Sequence, residues 1–222
     1  MMQRLRRLMP VRMQDGMTLV ELIVVLGIVA VVSAVLVFNY SSFRTTVTLR
    51  SLSQQIALSV RKAQTYATSV RGIEGLSQST TAFPAYGIAF SIDPASGPDE
   101  MAEPSSSRFV LFADVTDGGI INSLYDRGDD CGNPEDGSEC VESFGITTPD
   151  RVVRLETENG LNVEPIDGEV DIIFNRPAPD ASICMVSSGI CLPISNLRIV
   201  IQSQSGQERV VTVWNTGQIS VQ

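Results

Sequence analysis

From Leu22 to Phe38 the chain runs seventeen residues without a charge, LIVVLGIVAVVSAVLVF. As a helix that is about 26 Å, and extension to Met17 and Tyr40 gives about 36 Å, enough to cross a hydrocarbon core of about 30 Å. The flanking charges orient it. Arg4, Arg6, Arg7 and Arg12 precede it against Asp15 alone, and only Arg44 and Arg50 follow closely. The positive-inside rule therefore places the N-terminus in the cytoplasm and everything after Tyr40 outside.

A secretory signal has the same outline: a basic start, an apolar middle, and Val32-Ser33-Ala34 as a small-residue cleavage site. Glu21 argues against that reading. A carboxylate in the apolar block costs roughly 2.5 to 3.5 kcal/mol at the centre of a membrane, less toward its edge, and a discarded signal has no use for it. The chain after Phe38 also keeps a helical period. Leu49, Leu52, Ile56, Val60, Ala63, Ala67 and Val70 recur at steps of three and four, with Arg50, Gln54, Arg61 and Gln64 opposite and no proline between Met17 and Arg71. The pattern predicts one long helix, apolar in its first half and amphipathic in its second, the second half packing on a domain.

Beyond Gly72 the period changes to that of strands. Residues 86–92, 108–113, 151–155, 170–174, 197–202 and 209–214 are β-branched or aromatic runs separated by Gly, Pro, Asp and Ser clusters. The end reads as a hairpin, NLRIVIQSQ and ERVVTVWNT about a Ser205-Gly206 turn, with Gly217 leading to a last short strand. Its alternation puts Leu197, Ile199 and Ile201 on one face, toward the helix, and Trp214 reads as sheet packing rather than a ligand platform. Residues 94–107 read as a connecting loop. The expected fold class is α+β: a long N-terminal helix packed on a mostly antiparallel β-sheet head.

Composition narrows the function. The 222 residues contain no histidine, which removes Ser/His/Asp and Cys/His catalysis and imidazole metal ligation together. An enzyme would need carboxylate-only chemistry such as a glycosidase pair, and no acidic pair has a spacing that singles it out. The net charge is −9, and from Asp93 to Asp171 there are 20 acidic residues against 4 basic. A broad nucleic-acid surface is disfavoured, with Arg198 and Arg209 offering at most a small patch.

Four cysteines form two close pairs, Cys131 with Cys140 and Cys184 with Cys191. On the oxidising side of a membrane, local disulfides in that order are the favoured reading; structural zinc on all four and free thiols are the alternatives. The stretch DVTDGGIINSLYDRGDDCGNPEDGSE, residues 114–139, crowds Asp114, Asp117, Asp126, Asp129 and Asp130 among glycines. Hard oxygens on a flexible loop suit calcium, though not with EF-hand spacing, and a plain solvated loop is the alternative. No other cofactor is expected.

The stretch Gly16-Met17-Thr18-Leu19-Val20-Glu21-Leu22, after a short basic leader and before an unbroken apolar helix, resembles the processing signature of type IV prepilins and type II secretion pseudopilins. The resemblance implies cleavage after Gly16 by a prepilin peptidase and methylation of the new amino terminus at Met17, where phenylalanine is usual. It also suggests a partner for Glu21: the amino group that cleavage creates on Met17 of a neighbouring subunit, a pairing that would set axial register. A glutamate snorkelling to the cytoplasmic interface is the alternative. More loosely, the helix ending LSQQIALSVRKAQTYATSVRG and the β-rich head are similar to the H-type minor pseudopilins and the related FimT-like minor pilins.

The organisation so implied is a cleaved leader at 1–16, a transmembrane and assembly helix at 17–40, its amphipathic continuation at 41–72, and an extracytoplasmic head at 73–222. The protein would sit in the bacterial inner membrane as a single-pass subunit, N-terminus inside, and then enter a filament with other pilin or pseudopilin subunits. No catalytic residue comes with the resemblance. A bitopic extracytoplasmic module that is never cleaved, its head binding a ligand or calcium, is the reading from another class, and cleavage at Gly16 separates the two.

Overall fold

The computed structural model describes residues 17–69, 71, 84–93, 102–115, 122–126, 131, 139–160 and 162–222, the side chains of 38–42 excepted. The chain divides after Phe43 into two units. A helix, α1 (Leu19–Thr68), begins in the first and ends in the second. In the first unit every described side chain is exposed, including the apolar residues from Leu19 to Val37.

In the second unit the predicted stripe is buried: Leu49, Leu52, Ile56, Val60, Ala63 and Ala67 all enter the core, joined by Ala57. Helix α1 stops at Thr68, four residues short of the expected Gly72, and Val70 lies outside the described residues. The hydroxyls of Thr65 and Thr68 turn back onto the carbonyls of Arg61 and Gln64, local bonds that weaken a final turn. The Arg71 N–H then bonds the Tyr66 carbonyl, and the Tyr86 hydroxyl donates to the Arg71 carbonyl at 3.1 Å. Gln64 was expected on the solvent face. It is half-buried, and its Nε2 donates to the Pro179 carbonyl at 2.8 Å.

Eleven strands follow among the described residues: β1 (Ala85–Ser91), β2 (Arg108–Asp114), β3 (Cys140–Gly145), β4 (Arg151–Asn159), β5 (Asn162–Ile166), β6 (Glu169–Phe174), β7 (Ala181–Ser187), β8 (Ile190–Ile194), β9 (Asn196–Gln202), β10 (Glu208–Trp214) and β11 (Ile219–Val221). They form two sheets, ordered β3-β2-β1-β6-β7-β8 and β11-β10-β9-β4-β5, with every pairing antiparallel. The fold is α+β. All seven predicted strands are present, and β3, β5, β7 and β8 are additional. Three of these four lie at sheet edges, where one-sided cover blurs the alternation, and β5 and β8 carry Pro165 and Pro193.

The main core lies between the amphipathic part of α1 and both sheets. Tyr86, Ile88 and Phe90 of β1, Val170, Ile172 and Phe174 of β6, and Leu197, Ile199 and Ile201 of β9 all join it, the last three as their alternation predicted. The six-stranded sheet is covered on its other face too. There Ala89, Val110, Phe112, Ile173 and Cys184 form a second apolar cluster under Ala102, Leu124 and Tyr125. Gly87 lies beneath the Phe112 ring: a Cβ at that position would come within 2.5 Å of the ring and 2.7 Å of the Ile172 carbonyl. Trp214 ends β10 half-buried, opposite Asn196.

Candidate functional site

Two places gather the residues singled out above, one in each unit. At the N-terminal end of α1, Thr18 acts as the helix cap: its hydroxyl accepts the Glu21 N–H at 3.3 Å and its carbonyl accepts the Leu22 N–H at 3.1 Å. The spacing Thr18-x-x-Glu21 is that of a capping box, a local signal that a reading of Glu21 as a charge alone misses. It also places the carboxylate in the first turn, where the helix dipole favours negative charge. The cap uses the Glu21 backbone, and among the described residues no partner is placed on its carboxylate. Gly16 lies outside the described residues; Met17 is exposed. The stretch Leu19–Val37 is long and apolar enough to cross a membrane.

The second place is built on the outer face of the six-stranded sheet. Asp114 ends β2, Glu139 immediately precedes β3, and Asp171 is the third residue of β6; all three are at most 2% exposed. Their carboxylates accept backbone N–H groups. Glu139 takes Val115 at 3.1 Å and Asp126 at 2.7 Å, Asp114 takes Ser123 at 3.1 Å, and Asp171 takes Tyr125 at 2.8 Å. The Glu139 carbonyl also accepts the Ala113 N–H, so its backbone and side chain together extend the β2 ladder beyond Asp114. Ser123 takes a left-handed backbone, φ 58°. The Tyr125 ring stacks obliquely on Phe112, centroids 5.2 Å apart, and its hydroxyl donates to the Ala102 carbonyl.

Burial pushes the Glu139 carboxyl up to about 8, with the neighbouring charges of Asp114 and Asp126 adding to the effect and the amide bonds opposing it. Burial likewise raises Asp114 to about 6, helped by Asp126 and opposed by the amides of Ser123 and Asn122. The site therefore holds carboxyl groups that keep protons far above the usual carboxylate range.

Of the five aspartates offered for calcium, Asp114 and Asp126 come together here, and Asp117, Asp129 and Asp130 lie outside the described residues. Among the described residues no group of three or more His, Cys, Asp or Glu side chains is placed to hold a metal. Glu139 and Asp171, which the sequence reading did not single out, complete the cluster. Their signals were an acidic residue directly before a strand-forming Cys140 and a carboxylate, Asp171, set between apolar residues in VDIIF. Cys131 is bonded to Cys140 and Cys184 to Cys191. The first bridge lies beside Glu139, and the second joins β7 to β8.

On its exposed side the helix is tied down by Lys62, which pairs with Glu142 on β3 and lies 5.6 Å and 5.5 Å from the ring centroids of Tyr66 and Phe144. Beside it a groove of about 480 Å³ is lined by Ser51, Gln54, Gln55, Leu58, Ser59, Lys62 and Phe144. It is shallow and open, and holds no converging acid, base or nucleophile.

Residues 11–37 match the family described as the prokaryotic N-terminal methylation motif. The match covers the leader end, Gly16, Met17, Glu21 and the apolar run, and indicates a type IV pilin-like or pseudopilin precursor. No curated protein and no solved structure significantly matches the chain.

Proposed function

We propose that this chain is a minor pilin-like or pseudopilin subunit, cut after Gly16 by a prepilin peptidase, methylated on Met17, and assembled through the N-terminal helix into a type II secretion pseudopilus or a type IV pilus. It is anchored once in the inner membrane with its N-terminus inside and its head outside. The head is of the H-type, FimT-like kind, a helix end seated on β-sheets. Its work is structural and recognitional rather than catalytic.

The observation that carries this reading is the methylation-motif match over residues 11–37, in which Glu21 is the one charge of a helix otherwise apolar and exposed from Leu19 to Val37. A carboxylate in lipid gains most from a cation, and cleavage creates one, the Met17 amine of the next subunit. The cap at Thr18 engages the Glu21 backbone and does not require the carboxylate. Glu21→Ala should therefore leave the helix formed and inserted while incorporation into sheared filaments falls. Recovery of the variant in filaments at the wild-type level would remove the pairing from the account.

A further inference from the structure

The segment 122–126 belongs to neither sheet, yet Leu124 and Tyr125 are buried and close the apolar cluster over the six-stranded sheet. Carboxylates hold its backbone: Ser123 through Asp114, Tyr125 through Asp171, and Asp126 through Glu139, which also takes Val115. A buried anion is tolerated when several N–H groups point at it, and each of these carboxylates has one or two. Two anions side by side out of water are another matter. The charged groups facing Glu139 among the described residues are Asp114 on β2 and Asp126 on the held segment, with Asp171 on β6 reached through Tyr125. Neither Asp114 nor Glu139 has a cationic partner among the described residues. The Oδ1 atom of Asp114 is buried and accepts no hydrogen bond, a position far less costly for a neutral carboxyl than for an ion.

We propose that Glu139 and Asp114 form a proton-operated clasp, which holds residues 122–126 over the outer face of the six-stranded sheet while at least one of the two is neutral, and which loosens as both ionise, uncovering the apolar surface around Phe112. The movement is bounded covalently, because Cys140, next to Glu139, is bonded to Cys131. The raised carboxyls agree with this direction. A carboxyl whose proton is held more tightly in the closed state stabilises that state fully below its ordinary value, 4.5 for Glu139 and 3.8 for Asp114, and loses that contribution as pH rises toward about 8 for Glu139 and about 6 for Asp114. The clasp is closed in acid and weakens toward mild alkali. It rests on the geometry of the head alone and stands whether or not the chain enters a filament.

Amide hydrogen exchange on the full-length chain in detergent micelles tests this, with rates corrected for intrinsic pH dependence. Protection at Ser123, Tyr125 and Asp126 should fall at least tenfold between pH 5 and pH 8.5, while Ile199 in β9 keeps its protection. Glu139→Gln should abolish most of the fall, because one of the pair is then neutral at every pH. Asp114→Asn, which likewise prevents two anions from standing side by side, should flatten the profile in the same way. If Glu139→Gln does not fold, the wild-type profile and Asp114→Asn still decide. Equal protection at pH 5 and pH 8.5, a parallel loss at Ile199, or a fall unchanged by these substitutions would each overturn the clasp.

Discussion

Two stretches of the same helix obey opposite rules. From Leu19 to Val37 α1 is, Glu21 apart, apolar on all sides and exposed on all sides, whereas from Leu49 to Ala67 it is apolar on one side and that side is buried. The contrast is quantitative: Leu19 and Val37 are more than 70% exposed, Ile56 and Val60 fully buried. Helical structure is common to both, so what separates them is where their apolar surface finds cover. The second stretch finds it within the chain, on the two sheets. The first is exposed and is long and apolar enough to cross a membrane, and an exposed apolar stretch of that size is where lipid or a partner would be met.

The sharpest way to break this contrast is to truncate matched aliphatic residues in the two stretches. Ile56→Ala should lower the unfolding free energy of the head by about 2 to 5 kcal/mol, because it leaves a cavity between helix and sheets. Val29→Ala should change it by less than about 0.5 kcal/mol. Denaturant unfolding of the full-length chain in micelles, followed at Trp214, reads both. A comparable loss from Val29→Ala would mean that the first stretch packs within the chain after all.

Glycines sharpen the contrast at a smaller scale. A Cβ on Gly217 would come within 2.2 Å of the Pro179 carbonyl and 2.6 Å of Gln64 Nε2, in a backbone of φ +77°, whereas at Gly27 nothing lies within 4 Å. Gly217→Ala should cost about 1 to 3 kcal/mol and loosen the seat of the helix end. Gly27→Ala should raise helix propensity by up to about 1 kcal/mol without lowering the melting temperature of the head. The smallest effect belongs to Lys62. Its pair with Glu142 is exposed by about a third on one side and two-fifths on the other, so Lys62→Met should cost under about 1 kcal/mol, less still in high salt. A larger loss would make the ion pair, rather than the apolar stripe, the main tie between helix and head.

These residues also indicate what a sequence alone conveys. The apolar run and the stripe from Leu49 to Ala67 have strong periods, and so do β9 and β10, each of which faces one side of a thick core. Edge strands such as β5 and β8 carry a proline and are largely exposed, so their burial leaves no clear alternation. The N-terminal motif is legible because its elements are contiguous: Gly16, Met17 and Glu21 lie within six residues, inside the matched stretch 11–37. The acidic site was half visible. Asp114 and Asp126 stood out in a run rich in aspartate and glycine, but Asp171 reaches them only through the antiparallel pairing of β1 with β2 and with β6, a contact that local sequence cannot encode. Gln64 teaches the same lesson: polar on a helical wheel, it is held by a carbonyl 115 residues away.

The central claim is that the first stretch is an assembly element released by processing, and the mass of the mature chain tests it most directly. Intact mass spectrometry of protein extracted from its own membranes should give a chain that begins at Met17 and carries one methyl group. Gly16→Trp should return the unprocessed chain, still in the membrane and absent from filaments. A mature chain beginning near Val35 would make the apolar run a discarded signal, and a wild-type chain that retains residues 1–16 would make it a plain anchor; either result contradicts the account.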